Sequence, residues 1–338
     1  MPPHDQFPVA LPAHQKEGAG DGGRIMPYAP SLAITCSRSR GAVVSRPTQR
    51  FPLPTPALPW RVTVSPSPLR SISGRRWPKP PRVKLTTRTL DDLHIEDEAS
   101  FRHIGLYDTL KQALRRDRYP FRVAEGASWD RALLLNLTFW SASDQGDVLV
   151  DDRIDADVVA HVAWHHLTRK ALGAAPMSAD ALFLGESIAS AFDLYLIGRL
   201  LGNAPDAQML ETQVPAMGEI AASAGLDEAA FEALLEGIAA DPDRAFEDLR
   251  ELLFDASAAL VRCDGVTAAA AALAKLEGHR FAPLLHHYEL SNWVLYARAY
   301  APRADAINPV IHGIDRALRE APVALDWLER AWLPSSRG

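Results

Sequence analysis

Histidine is concentrated in one short stretch of this 338-residue chain, HVAWHHL at residues 161–167. His161 and His165 are four residues apart, so in a helix both rings project from the same face, one turn apart. Such a pair can direct two imidazole nitrogens at one point, as helical zinc sites do. Zinc then needs a third protein ligand, and a fourth position is left to water where the site is catalytic. His166 is the third imidazole of the stretch.

A single acid, Glu186, interrupts the start of the next apolar stretch, GESIASAFDLYL at residues 185–196. It follows His165 by 21 residues. With a rise of about 1.5 Å per residue, one helix, a short turn and a second antiparallel helix would return Glu186 to the level of the histidine pair. The sequence therefore predicts a metal site formed by His161, His165 and Glu186. Zn²⁺ is the expected ion, although two imidazoles and a carboxylate also serve iron and other divalent ions.

Two helices and one strand must position these ligands. The first helix, ADVVAHVAWHHLTRKAL, follows Asp155 as a suitable N-cap and stops at Gly173. The second helix starts after Ser178, another N-cap, and runs to Leu201. GDVLVDD at residues 146–152 is a short apolar run between polar turn residues, which predicts a strand in front of the first helix.

The rest of the chain from residue 87 onward has apolar residues three and four apart, which indicates helix. Residues 129–141 fit either a helix or a buried strand, because LLLNLTFW is short and compatible with both. Further helices are predicted near residues 100–117, 207–224, 227–239, 243–262, 266–278, 283–299, 305–319 and 322–332. The predicted fold class is mainly α with a short β element.

The pattern His161-x3-His165, followed by Glu186 in GESIAS, resembles the gluzincin branch of the zincin metallopeptidases. The signature of that family is HExxH, with a glutamate about twenty residues later in a context of small residues. The likeness covers about residues 146–200. It implies a zincin-like helical core in which His161, His165 and Glu186 are the zinc ligands, followed by an all-helical C-terminal portion.

One position departs from the family pattern. Val162 stands where the family has the glutamate that deprotonates the metal-bound water. A valine cannot accept a proton, so the resemblance implies a degenerate peptidase that lacks its general base. A replacement base would have to come from elsewhere, with His166, Asp193 or a distant carboxylate as candidates. Ser190 replaces the acid that some members use to support a histidine ligand, and Asp193 is placed to take that role instead.

A second cluster, LLHHYEL at residues 284–290, contains His286, His287 and Tyr288. In gluzincin-like enzymes a downstream His or Tyr stabilises the oxyanion of the transition state. The resemblance assigns this role to one of these three residues. The alternative is that HHYE forms a solvated helix face beside a packed one.

The histidines have three other interpretations. HVAWHH has the HxxxHH spacing of the di-iron histidine boxes of membrane desaturases, but those enzymes need several boxes and membrane helices. A ferritin-like bundle needs ExxH pairs on two helices, which this sequence lacks. The last is that His161, His165 and Glu186 are hydrogen-bonded core residues of a metal-free helical structural or protein-interaction protein.

Residues 1–86 differ in composition from the remainder. They contain 16 of the 26 prolines and carry a net charge of +10, so residues 87–338 carry −16 of the total of −6. No periodic apolar pattern is present, which predicts a disordered tail. Val83 opens VKLTTRTLDDL, which looks like a bacterial amino terminus, so the tail is also interpreted as a mis-assigned start. The expected organisation is the tail at 1–86, a zincin-like mixed region at 87–203 and an all-helical portion at 204–338.

Composition also limits the partners and the location. Cys36 and Cys263 are too few for a disulfide framework or a CxxC site. The negative folded part argues against nucleic acid as the main partner, and neither a signal peptide nor a continuous apolar run of 18 residues is seen. We therefore expect a cytoplasmic protein, not held in a membrane, with a peptide or protein as partner.

Overall fold

The computed structural model describes residues 84–124, 147–173, 178–301 and 306–333. These residues are mainly helical, as the sequence predicts. The α-helices are α1 Gly105–Arg116, α2 Ala156–Leu172, α3 Ala179–Leu201, α4 Gln208–Ser223, α5 Glu228–Ala240, α6 Pro242–Leu260, α7 Val266–Ala274, α8 Leu290–Tyr300, α9 Pro309–Glu320 and α10 Ala324–Trp332. Short 3₁₀ helices cover Leu90–Asp92, Glu98–Phe101 and Ala282–Tyr288.

Five short strands of the described residues precede α2 in the chain. They are β1 Leu85–Arg88, β2 His94–Glu96, β3 Phe121–Ala124, β4 Val148–Leu149 and β5 Arg153–Asp155. β3 lies in the middle of one sheet, antiparallel to β1 and parallel to β4. β2 and β5 form a separate parallel pair, and β5 leads directly into α2. The first residues of α2 are thereby fixed against the N-terminal part of the fold.

The β structure is where the sequence prediction was least accurate. The strand predicted at 146–152 is shortened to β4, because Asp151 accepts a hydrogen bond from the Arg153 backbone N–H and the chain turns into β5. β1, β2 and β3 were not predicted, since each has only three or four residues. β1 starts at Leu85, so the tail boundary at residue 86 is slightly too late. Residues 1–83 and the ambiguous run 129–141 lie outside the described residues.

Most helix predictions are confirmed to within a few residues, with four clear exceptions. The helix predicted at 100–117 begins only at Gly105. The helix predicted at 283–299 is wrong: the 3₁₀ helix Ala282–Tyr288 and α8 are separate, with Glu289 in the left-handed region at φ 48° between them. The helix predicted at 305–319 begins later, where the Asn308 side chain caps α9. Of the helix predicted at 266–278, only Val266–Ala274 is α-helical.

Helix α3 is the centre of the fold. Nearly every one of its residues is buried, and it packs chiefly against α6 and α2. A helix that is apolar on all sides must be covered on all sides, and its length and composition would suffice to cross a membrane, yet 94% of its most apolar window is buried inside the protein. Gly198 permits a close approach to α5, because a Cβ there would lie 2.7 Å from the Ile238 carbonyl oxygen.

One continuous hydrophobic core joins the regions before and after residue 203. A buried ion pair crosses it, with Arg250 of α6 donating to Asp315 of α9 at 2.6 Å. Helix α9 is also joined to the start of α3, where the buried Asp180 carboxylate accepts the Asn308 backbone N–H at 2.7 Å. The C-terminal helices therefore pack on α2, α3 and α6 and fix the start of α3.

Candidate metal centre

Helix α2 directs His161 and His165 to one point. The helix begins after Asp155 and ends at Gly173, as predicted, although the Asp155 side chain makes no capping hydrogen bond. The two rings lie on one face with centroids 4.9 Å apart, and their Nε2 atoms are 3.2 Å apart. The exposed fractions are 7% for His161 and 5% for His165. The spacing of four residues therefore brings both rings to one point, as the sequence predicts.

Helix α3 brings Glu186 to the same point. Its start is capped by the Ser178 hydroxyl, which accepts the Ala181 backbone N–H. Two turns later the Glu186 carboxylate lies 3.5 Å from His165 Nε2, with 2% of the residue exposed. The nearest ligand atoms of His161, His165 and Glu186 all lie within 4.8 Å of one another. We call these three residues the triad.

Two of the three distances within the triad match those of a metal site. In a tetrahedral site with ligand bonds of about 2.0–2.1 Å, neighbouring ligand atoms are about 3.3 Å apart. The separations of 3.2 Å between the two histidines and 3.5 Å between His165 and Glu186 are close to that value. The triad is a buried group that could hold a metal ion.

Asp193 supports His161 at the ring nitrogen that does not face His165. It lies on α3 two turns after Glu186, and its Oδ2 is 2.8 Å from His161 Nδ1. A carboxylate at one ring nitrogen favours the proton there and leaves the other nitrogen to bind a metal. Ser190, which stands in the sequence where some gluzincins have the supporting acid, is buried one turn earlier on α3. Asp193 is thus placed for the supporting role and not for that of a ligand.

The electrostatics of the triad arise from burial and from neighbouring carboxylates. Burial alone would lower the pKa of His161, but the charges of Asp193 and Glu186 outweigh burial and raise it to about 9. Burial raises the pKa of Glu186 to about 8, against the favourable charge of His161. Burial and the nearby His161 lower the pKa of His165 well below its usual value. Without a metal, the group therefore contains a protonated His161 and a largely neutral Glu186 at pH 7.

Two further aspartates near the triad were not predicted from the sequence. Asp147 immediately precedes β4, is 7% exposed and accepts a hydrogen bond from the Tyr119 hydroxyl at 3.0 Å. Burial raises its pKa. Asp157 lies one helical turn before His161, and burial together with the charge of Asp193 raises its pKa to about 7. The spacing of Asp157 from His161 is visible in the sequence, whereas nothing local indicates that Asp147 approaches the triad.

The candidate replacement bases have different surroundings. Val162 is fully buried in the apolar core. His166 turns away from the triad, since its Nε2 lies 2.8 Å from the Asp117 carboxylate, which Lys170 also contacts at 2.7 Å. His166 therefore links α2 to the end of α1. Of the two bases proposed by name, only Asp193 contacts the triad.

Two residues of the second histidine cluster, His287 and Tyr288, lie close enough to Asp193 for its charge to affect their pKa values. His286 is exposed, while His287 and Tyr288 are half-buried. Burial lowers the pKa of His287 against the opposing charge of Asp193, whereas burial and that charge together raise the pKa of Tyr288. None of the three is among the ligand atoms of the triad. The oxyanion role predicted for them has no direct support in these contacts.

The site combines two imidazoles, one carboxylate ligand, a supporting aspartate and two more buried or half-buried aspartates. This donor set is chemically suited to a divalent cation, because imidazole and carboxylate groups are borderline and hard ligands. Comparison of the chain with protein-family models, curated proteins and solved structures finds no match.

Proposed function

We propose that the protein binds a divalent transition-metal ion, with Zn²⁺ as the first candidate, through His161, His165 and Glu186. The observation that carries the proposal is the convergence of three ligand atoms from two helices within 4.8 Å, in a buried setting. Buried polar groups of this kind are costly unless they are paired or bind an ion. The hydrogen bond from His161 to Asp193 adds the outer support that metal-bound histidines usually have.

The proposed centre is gluzincin-like in its ligand order but not in its base. A conventional peptidase of that kind needs the glutamate that Val162 replaces, and the valine is packed into the core. We propose a degenerate metallopeptidase-like protein that binds metal and uses it for peptide or protein recognition, or for metal-assisted chemistry with another base. The cytoplasm remains the proposed location.

The second candidate function is that of a metal-free helical structural or interaction protein. One contact favours it: the Nε2 atoms of His161 and His165 are 3.2 Å apart, which suits a direct hydrogen bond as well as a shared ion. Asp193, His161 and His165 would then form a buried hydrogen-bonded chain. The two candidates differ in one measurable property, the stoichiometric binding of metal.

The experiment is elemental analysis of the purified full-length chain after removal of any affinity tag. We expect one metal ion per chain, and its loss in His165→Ala. The matched control is His166→Ala, because His166 is the adjacent imidazole on the same helix and bonds Asp117 instead of the triad. A metal-free wild type that also fails to bind added Zn²⁺ or Co²⁺ would support the structural role. Equal loss of metal in both variants would mean that the triad is not the site.

A further inference from the structure

The stretch from residue 200 to residue 243 contains nine acidic residues and no Lys, Arg or His. It covers the whole of α4 and α5, together with the last residues of α3 and the first of α6. Eight of the nine acids are exposed, and none of the nine forms an ion pair within the part of the chain that the structure describes. The pair of helices α4 and α5 therefore carries negative charge that no neighbouring side chain neutralises.

The acids of α5 form one row, which we call the glutamate stripe. Glu228, Glu232 and Glu236 are four residues apart, so they lie on one face of the helix, and all three are exposed. Like charges at this spacing repel one another and destabilise a helix. On the adjacent α6 the same spacing is used for attraction, since Arg244 contacts Asp248 at 2.8 Å. The glutamate stripe is a repulsive surface that a cationic partner would stabilise.

An apolar row runs beside the glutamate stripe. Phe231 and Leu235 are also four residues apart, each directly before a glutamate, and both are half-buried. Phe231 packs on α4 at Gly218, where an added Cβ would lie 3.2 Å from the ring. Ile238 is the only residue of α5 that is fully buried. The other large apolar side chains of α5 therefore keep some area open to solvent next to the glutamates.

The chain itself contains a segment of complementary character, RRWPKPPRVK at residues 75–84. This basic segment has five cations, no acid, three prolines and Trp77. In an extended proline-rich conformation, residues three apart lie on one side of the chain, with about 9 Å between them. Arg76, Lys79 and Arg82 have this spacing, so their charges would extend over about 19 Å on one side. Helix α5, with 13 residues, is about 20 Å long.

The basic segment is also tethered within reach of α5. It ends at Lys84, an exposed residue that leads directly into β1. The N-terminal part of the fold contacts α4, because the Asp97 carboxylate accepts the Gln208 backbone N–H at 2.9 Å. Ten extended residues span up to about 33–36 Å. A short tether gives an effective concentration in the millimolar range, so several weak ion pairs are sufficient for binding.

We propose that the basic segment docks along α5 of the same chain, with its cations facing the glutamate stripe and Trp77 lying against the apolar row. The contact is separate from the proposed metal site on α2 and α3. It gives a role to residues that the interpretation of Val83 as the start would place before the protein begins. Exposed ion pairs are individually weak and are screened by salt, so the docked fraction falls as the ionic strength rises.

The first test is limited trypsin cleavage of the full chain after Arg76 and Arg82, because a docked segment is cleaved only when it opens. The test variant combines three substitutions in the glutamate stripe, Glu228→Gln, Glu232→Gln and Glu236→Gln. The matched control removes three exposed charges that also lack an ion pair among the described residues, through Glu320→Gln, Asp326→Asn and Glu329→Gln. At low salt we expect cleavage about threefold or more faster in the stripe variant than in the wild type and the control. In 1 M NaCl, where the screening length is about 3 Å, all three should be cleaved equally fast.

The second test is zero-length carbodiimide cross-linking of the full chain, which joins a lysine amine to a carboxylate in contact with it. We expect Lys79 to be joined to the glutamate stripe within one chain. Equal cleavage of wild type and stripe variant at low salt would overturn the proposal, and so would equal acceleration in the stripe variant and the control. Cross-links from Lys79 chiefly to other acids, or to a second copy of the chain, would also overturn it.

Discussion

Metal binding at the triad should release nearly two protons per ion at pH 7. In the metal-free protein the pKa of His161 is raised to about 9 and that of Glu186 to about 8. At pH 7 the imidazole is then about 99% protonated and the carboxyl about 91%, so about 1.9 protons occupy the atoms that must bind the ion. A metal can only bind after these protons leave.

The magnitude follows from the same two values. Each linked proton contributes about 1.36 kcal/mol per pH unit, so the binding free energy should strengthen by about 2.7 kcal/mol per unit below pH 7. The apparent affinity should rise about 90-fold between pH 6 and 7, about 50-fold between pH 7 and 8, and little above pH 9. The affinity must rise with pH, because the pKa values of both groups are raised in the metal-free protein and their protons must leave before the metal binds.

The assay is isothermal titration calorimetry with Co²⁺ at pH 7 in buffers of different protonation enthalpy. The slope of observed enthalpy against buffer enthalpy gives the number of protons released. Asp193→Asn removes the charge that contributes most to raising the pKa of His161, so the count should fall toward one. With the ordinary pKa values of both groups, fewer than about 0.3 protons would be released. A count that low in the wild type would refute the electrostatic description of the triad.

Three predictions concern the stability of the fold and are measured by urea unfolding. Gly198→Ala should destabilise the fold by about 1–3 kcal/mol, because the new Cβ would lie 2.7 Å from a backbone carbonyl oxygen. Gly237→Ala, in open space on a helix, should instead stabilise the fold by about 1 kcal/mol. Equal effects of the two substitutions would contradict the packing argument. Arg250→Met should cost about 1.5–3 kcal/mol, because Asp315 loses a buried charged hydrogen bond and keeps only its ion pair with Arg319. A neutral result would mean that the pair is dispensable. Despite burial, hydrogen bonds from Lys170, His166 and Arg116 keep the pKa of Asp117 well below its usual value. The stability that Asp117 contributes is therefore full above about pH 4 and is lost as the pH falls further. An Asp117→Asn variant should show a weaker acid dependence of stability than the wild type, and an identical dependence would count against this explanation.

The two helices that carry the triad were predictable because their signals are local. Asp155, Gly173 and Ser178 mark helix ends by their own backbone and hydrogen-bonding preferences. Once α2 is a helix, the spacing of His161 and His165 fixes their common face. Glu186 needed only one further assumption, that the next helix runs antiparallel.

The strands and Asp147 could not be predicted, for the opposite reason. Strands of two to four residues show too little alternation to be recognised, and their pairing partners are distant in the chain. Asp147 lies close enough for its charge to act on His161 and Glu186, and the pairing of β4 with β3 beside it carries no signal in the residues around it. His166 illustrates the same limit: its sequence neighbour His165 belongs to the triad, but its spatial neighbour is Asp117.

The burial of α3 has a consequence for how the chain is synthesised. Its main packing partner, α6, ends at Leu260, 59 residues after α3 ends at Leu201. At translation rates of about 5–20 residues per second, α3 leaves the ribosome about 3–12 seconds before that partner is complete. During this interval the most completely buried helix of the described residues, which carries Glu186 and Asp193, lacks the surface that later covers it. The protein is therefore most exposed to aggregation and to chaperone binding in the middle of its own translation.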